Sequence, residues 1–177
     1  MTLIGDNDVP SEYAQNKVTI QFSRGMLSNA GQDEFTPVLN VKKTDSVPDF
    51  AVHKIDSANT YPKTANTAAL ASDLYLTNFA AYGCSFIGFQ DTFLANKGIQ
   101  VIVNSYIEDS IDFIWGFSTA YFYRCIIASN TTGACNAAQD RVAGTVSGYV
   151  FDECKVTYTS TYGSTMGASY LGRPYSN

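Results

Sequence analysis

A chain of 177 residues, 45% of them hydrophobic and 14% aromatic, carries enough apolar material for one packed domain, which excludes a disordered polypeptide. A formal charge of -5 with scattered basic residues excludes nucleic acid as a partner, and no apolar run approaches the ~20 residues that cross a bilayer, so no membrane association is expected. Charged residues make up only 15%, while Ser, Thr, Asn, Tyr and Gly abound, a balance that suits an extracellular β-rich protein with turn-dense coils.

In chain order, TLIG from Thr2 to Gly5 reads as a short strand, followed by a loop and by VTIQF from Val18 to Phe22. The loop SNAGQDEFT gives way to PVLNVK from Pro37, and DFAVHKI follows after a Val-Pro-Asp turn. The pattern loosens between Asp56 and Asn78, a long excursion with one short strand around Thr67 to Ala71. From Phe50 onward one signature recurs, two apolar residues flanking a small or polar centre: FAVHKI at Phe50, AYGCSF at Ala81, IVNSYI at Ile102, FYRCII at Phe122 and FDECKV at Phe151. Its centres are His53, Cys84, Ser105, Cys125 and Cys154, at spacings of 31, 21, 20 and 29.

Repeats of about 20 to 30 residues with short β cores are what a parallel β-helix produces, each coil burying its apolar face on its neighbours. A sandwich would supply short apolar strands by chance, but not two nearly equal central spacings. Helix content is expected to be small. Asp91 and Asp112 each stand seven positions after a centre, Cys84 and Ser105 respectively. Stacked coils would therefore set their carboxyls side by side, roughly 5 Å apart, as an acid/base pair. At that distance and an effective dielectric of ~20, two carboxylates repel by about 3 kcal/mol, which splits their apparent pKa values by roughly two pH units. One then stays ionised while the other keeps a proton.

Three ordered segments, GFQDTF from Gly88, IEDSIDFIWG from Ile107 and YLGRPY from Tyr170, resemble the signatures of pectin methylesterases, and fungal or yeast-like members are the most similar in character. TLIGDN near the start, YGCSF ahead of the first signature and GYVFDECKV ahead of the third extend the resemblance over nearly the whole chain, read as a single partial catalytic domain over 1–177. The family's fold is a right-handed parallel β-helix, all-β, here expected to be truncated at both ends. The resemblance implies that Asp91 is the general acid and then base, Asp112 the nucleophile, Gln90 an oxyanion donor and Arg173 the partner of the nucleophile. It implies hydrolysis of methyl esters of galacturonate in pectin, with methanol released. No cofactor and no metal are expected; the partner is methylated homogalacturonan, the complete protein is a monomer, and the site of action is outside the cell, although no signal peptide stands at this N-terminus.

Tyr175 and Trp115 are candidate sugar platforms; Trp115 is equally a core aromatic. Asn66, in NTAAL, stands where the family has a glutamine that supplies a second oxyanion donor, one methylene longer. Tyr175 replaces a tryptophan, and Asp109 replaces a glycine ahead of the nucleophile, adding a third acid that raises its neighbours' pKa if it faces the cleft. His53, the one histidine, is expected to be a strand residue and not a base. Cys125 and Cys154 are placed either for a disulfide or as small buried residues, and Asn130 opens an NTT glycosylation pattern that matters only in a secreted protein. A net negative protein is expected to favour methylated stretches over de-esterified polyanion. Two other readings stay open: an inactive polysaccharide-binding relative, and a different β-helix enzyme acting on pectin.

Overall fold

The computed structural model describes residues 1–9, 12–26, 33–42, 49–62, 67–160 and 169–175. Its strands run in parallel and stack coil upon coil into three faces, a parallel β-helix. The first face carries β1 (Thr2–Ile4), β4 (Asp49–His53), the second half of β6 (Ser72–Tyr82), the second half of β8 (Phe93–Val103), β11 (Thr119–Tyr123) and β14 (Tyr149–Asp152). The second stacks β2 (Thr19–Phe22), β5 (Asp56–Asn59), β7 (Ser85–Ile87), β9 (Tyr106–Asp109), β12 (Ile126–Ser129) and β15 (Lys155–Tyr158). The third is made by β3 (Leu39–Val41), the first halves of β6 and β8, β10 (Ile111–Gly116) and β13 (Cys135–Gln139).

The corner between the first two faces is built by one left-handed residue per coil: Lys54, Gly83, Asn104, Arg124 and Glu153, with φ from 50° to 60°. A backbone that turns in one residue leaves the following side chain pointing inward, and Cys84, Ser105 and Cys125 fill that buried place. Ser105 Oγ accepts from Cys84 N at 3.1 Å, and Cys154 Sγ from Cys125 N at 3.4 Å, so the centres do stack as the signature predicts. The four cysteines are free thiols, which leaves Cys125 and Cys154 as small packing residues. Burial pushes the Cys125 thiol up to about 12.

In the first repeat the expected register is displaced by two. His53 pairs with Tyr82, so Ile55 and not His53 is the counterpart of Cys84. His53 stacks on the Tyr82 ring at 4.8 Å, a strand residue as expected.

Apolar ladders hold the coils together. Ala81, Ile102 and Phe122 align on one face and Phe86, Ile107 and Ile127 on the next, all buried in a single core. Ring contacts run through it from Phe86 to Phe93 to Phe122. Burying a large apolar side chain stabilises by about 1.5–3 kcal/mol, so each ladder position binds one coil to the next.

One expectation fails here. Thr67 to Ala71 is not a strand; it is buried irregular chain, and the strand begins at Ser72 instead. It still bonds to the next coil, through Ala69 N to the Gln90 carbonyl at 3.0 Å and Ala71 N to that of Thr92 at 2.9 Å. Asn130, which opens the NTT pattern, is 3% exposed, and its amide donates to the Gly88 carbonyl at 3.1 Å. Among the described residues no helix is long and apolar enough to cross a membrane.

Candidate active site

Where the second face turns into the third, each coil must change direction between a short strand and a longer one. Asp91 lies in this corner between β7 and β8, and Asp112 lies one coil on, at the start of β10. Both adopt the left-handed region, φ 61° and 55°, a conformation that Asp tolerates better than most side chains. Phe93 pairs with Ile114, and each stands two residues after its aspartate. Asp91 N also donates to the carbonyl of Ile111, immediately before Asp112, at 3.1 Å. The equal offset in sequence thus becomes equal register in space, on neighbouring coils.

Glycines make the corner passable. A Cβ at Gly88 would sit 2.2 Å from Thr92 Oγ1, and one at Gly116, where φ is +115°, would sit 2.6 Å from the Ala95 carbonyl oxygen. Gly88 opens the segment that carries Asp91, and Gly116 closes the one that carries Asp112.

Arg173 arrives from one coil beyond β13. Tyr170 bridges to Cys135, and Arg173 N donates to the Ala137 carbonyl at 2.9 Å, which docks the segment on the third face. From there the guanidinium reaches back to Asp112: Nε donates to Oδ1 at 2.8 Å, and Nη2 pairs with Oδ2. The pair is two-pronged and one-sided, for the Asp112 side chain is 8% exposed and that of Arg173 48%. Both oxygens of a largely buried carboxylate are thereby matched to a charged fork.

Among the described residues Asp91 has no such partner. Burial first, then the charges of Asp109, Asp112 and Asp33, push its carboxyl up to about 8, against a hydrogen bond from the Gln90 side chain that pulls the other way. It is therefore protonated near neutral pH. The rise at Asp91 has burial, and not repulsion from the neighbouring carboxylates, as its largest cause.

Asp109 faces inward, not into the cleft. Along β9 the alternation of side chains buries Ile107 and Asp109 together, and Asp109 is wholly inaccessible. Its charge nevertheless acts on Asp91, and burial pushes its own carboxyl up to about 7.

Trp115 is buried with Leu70, Leu94 and Ala138 in a second small core, and its Nε1 donates to the Asp91 carbonyl oxygen at 3.1 Å. Its ring packs against that of Tyr175 at a tilt of 38°, with centroids 5.5 Å apart. Tyr175 itself is exposed, so the two aromatics form a step from the core to the surface beside Asp91. Trp115, Phe117, Leu94, Asn96, Asp33 and Glu34 line a shallow groove. Asn96 and Glu34 continue it towards Asp73, Tyr75 and Lys42. Leu94, Asn96 and Trp115 come from the third face, and Asp33 and Glu34 from the turn at Asp33–Phe35; of these residues the sequence motifs marked Trp115. Asn66 lies outside the described residues.

The chain matches the family model described as Pectinesterase over residues 43–177. It is 34% identical to Pectinesterase A of Emericella nidulans over 175 residues, covering 99% of this chain and 51% of that protein. The crystal structure of the pectin methylesterase from Aspergillus niger superposes with a TM-score of 0.89 at 31% identity, over 98% of this chain and 56% of that one. The pectin methylesterase from carrot, at 20% identity, shares the fold with a TM-score of 0.78 over 99% of this chain and 58% of that one. The chain spans about half the length of the curated relatives it matches.

Proposed function

The chain belongs to the pectinesterase family, and on that premise we propose that it hydrolyses methyl esters of galacturonate in pectin with Asp112 as nucleophile and Asp91 as acid and base. The observation that carries this reading is the contrast between adjacent carboxyls: Asp112 clasped by Arg173, Asp91 half-buried and keeping its proton. A carboxylate opposed by a guanidinium is ionised and can attack; a protonated acid one coil away can feed the leaving group.

In the first half of the reaction an Asp112 oxygen bonds to the ester carbonyl carbon, and the carbonyl electrons move to oxygen. Gln90, beside Asp91 at the same corner, donates to that oxyanion. Asn66 is a second donor in this reading, from the segment just before Thr67. The intermediate collapses, the bond to methoxide breaks, and Asp91 gives its proton to form methanol. An acyl anhydride now joins Asp112 to the sugar. Asp91, as carboxylate, takes a proton from water, hydroxide adds to the acyl carbon, and Asp112 leaves with the electrons it brought. Arg173 keeps Asp112 oriented through both halves, and Tyr175 with the edge of Trp115 offers a face to a pyranose ring.

Asp33 and Glu34 in the groove, with Lys42 as the cation near them, support a preference for esterified over free galacturonate. Equal rates on heavily and sparsely methylated pectin at low salt would remove that preference. The family's substrate is a cell-wall polymer, and we assign the protein to the extracellular side on that ground. The experiment for the activity is simultaneous measurement of methanol and viscosity on esterified pectin. Methanol with little loss of viscosity supports ester hydrolysis, whereas viscosity loss without methanol would place the protein among enzymes that cut the polymer.

A further inference from the structure

The reaction does not use Asp109, which is the most buried acid near the site among the described residues. Its Oδ2 accepts from Thr92 N and its Oδ1 from Ser110 N, both at 2.6 Å. Thr92 follows Asp91 directly, and Ser110 stands two residues before Asp112. A single carboxylate therefore grips the backbones of both turns that carry reacting groups. Its own carbonyl is held by Asn130 N at 2.8 Å, which anchors the grip to a third coil.

We propose that Asp109 is a positioning residue that clasps the Asp91 and Asp112 turns and, by its charge, keeps the exchangeable proton on Asp91. This rests on the esterase reading above. The argument is one of unequal solvation. Asp109 receives two short backbone donors, one to each oxygen, which favour its anion; half-buried Asp91 has the Gln90 side chain to stabilise its charge and the charges of Asp109, Asp112 and Asp33 against it. When two acids this close share a deficit of protons, the better-bonded one ionises first. Among the described residues, the remaining charged or titratable groups around Asp91 are Asp112 from β10, Asp33 from the turn at Asp33–Phe35, and Arg173 and Tyr175 from the last described segment. The Arg173 fork is engaged with Asp112, so the charge of Asp109 is not cancelled locally.

The test is the pH profile of kcat/KM for methanol release by the native chain, Asp109→Gly and Asp109→Asn. Removing the charge lowers the pH at which Asp91 loses its proton, so the basic limb should move down by about one pH unit. A basic limb that stays in place in a folded variant would overturn the proposal, since a residue that only packed would lower rates without moving it. The native protein gives a second readout that needs no substitution. The amide protons of Thr92 and Ser110, followed by NMR, should shift together across the interval from about pH 6 to about pH 9, as the coupled acids titrate. Amides that do not respond there overturn the proposal whether or not the variants fold. A native chain that releases no methanol would instead remove the esterase reading, while the amide titration would still report on Asp109.

Discussion

Phe93 and Ile114 are register partners on adjacent coils, and each follows an aspartate by two residues. This one pairing converts a spacing in sequence into a pair of carboxyls on a common corner. Everything chemical about the site depends on how the two are then treated differently by their surroundings.

Arg173 meets Asp112 through two donors, so its geometry matters as much as its charge. Arg173→Gln should lower kcat about a hundredfold, and Arg173→Lys should restore only a small part, because an ammonium cannot bond both oxygens in one plane. Steady-state methanol release by the two variants checks this.

Gln90 stands beside Asp91 and is assigned to the oxyanion. Gln90→Ala should reduce kcat by about a hundredfold with little change in KM, as expected of a bond that strengthens only in the transition state. A change confined to KM would assign the residue to substrate binding instead.

Asp91 makes stability depend on pH in a direction opposite to that of a paired carboxylate. Its folded value of about 8 lies far above the ~3.9 of an unfolded aspartate. Below both values the two states are equally protonated. Between them the native state keeps a proton that the unfolded state has released, so stability falls as pH rises from about 4 to about 8. Asp91→Asn stands in for the protonated acid and should melt higher than the native chain at pH 8, with the gap closing towards pH 5. The same variant should release methanol at least about a hundredfold more slowly. Thermal melts at the two pH values supply the first comparison.

Trp115 binds the Asp91 carbonyl oxygen through its indole N–H while its ring fills the small core under the groove. Trp115→Phe keeps most of the bulk and deletes that bond. The expected costs are about 1 kcal/mol in stability, read by denaturant melts, and a several-fold loss in kcat, because the Asp91 turn is less firmly held.

Much of this was legible in the sequence because a solenoid repeats its own instructions. The coil centres from Cys84 to Cys154 and the seven-residue offsets of Asp91 and Asp112 stand in the structure as spacing predicts. The first repeat misled by two residues: Val52 and Ile55 are as apolar as Phe50, and only the pairing of His53 with Tyr82 fixes the register. Thr67 to Ala71 looked like a strand because it is apolar, yet its burial comes from packing beside the corner that carries Gln90 and Asp91. Trp115 and Asp109 show the complementary limit. Side-chain alternation with Ile107 was enough to turn Asp109 inward, but neither of its two backbone donors, Thr92 and Ser110, carries any mark in composition. The groove residues Asp33, Glu34 and Asp73 come together only through coil stacking, from places far apart in the chain.

The central claim is that Asp112, held by Arg173, is the atom donor that attacks the ester. Methanol release from highly methylated pectin by the native chain and by Asp112→Asn tests it most directly. The native chain should release methanol, and the variant should do so at least about a thousandfold more slowly while melting as a folded protein. Equal release by the two would show that another group performs the attack and would contradict the account.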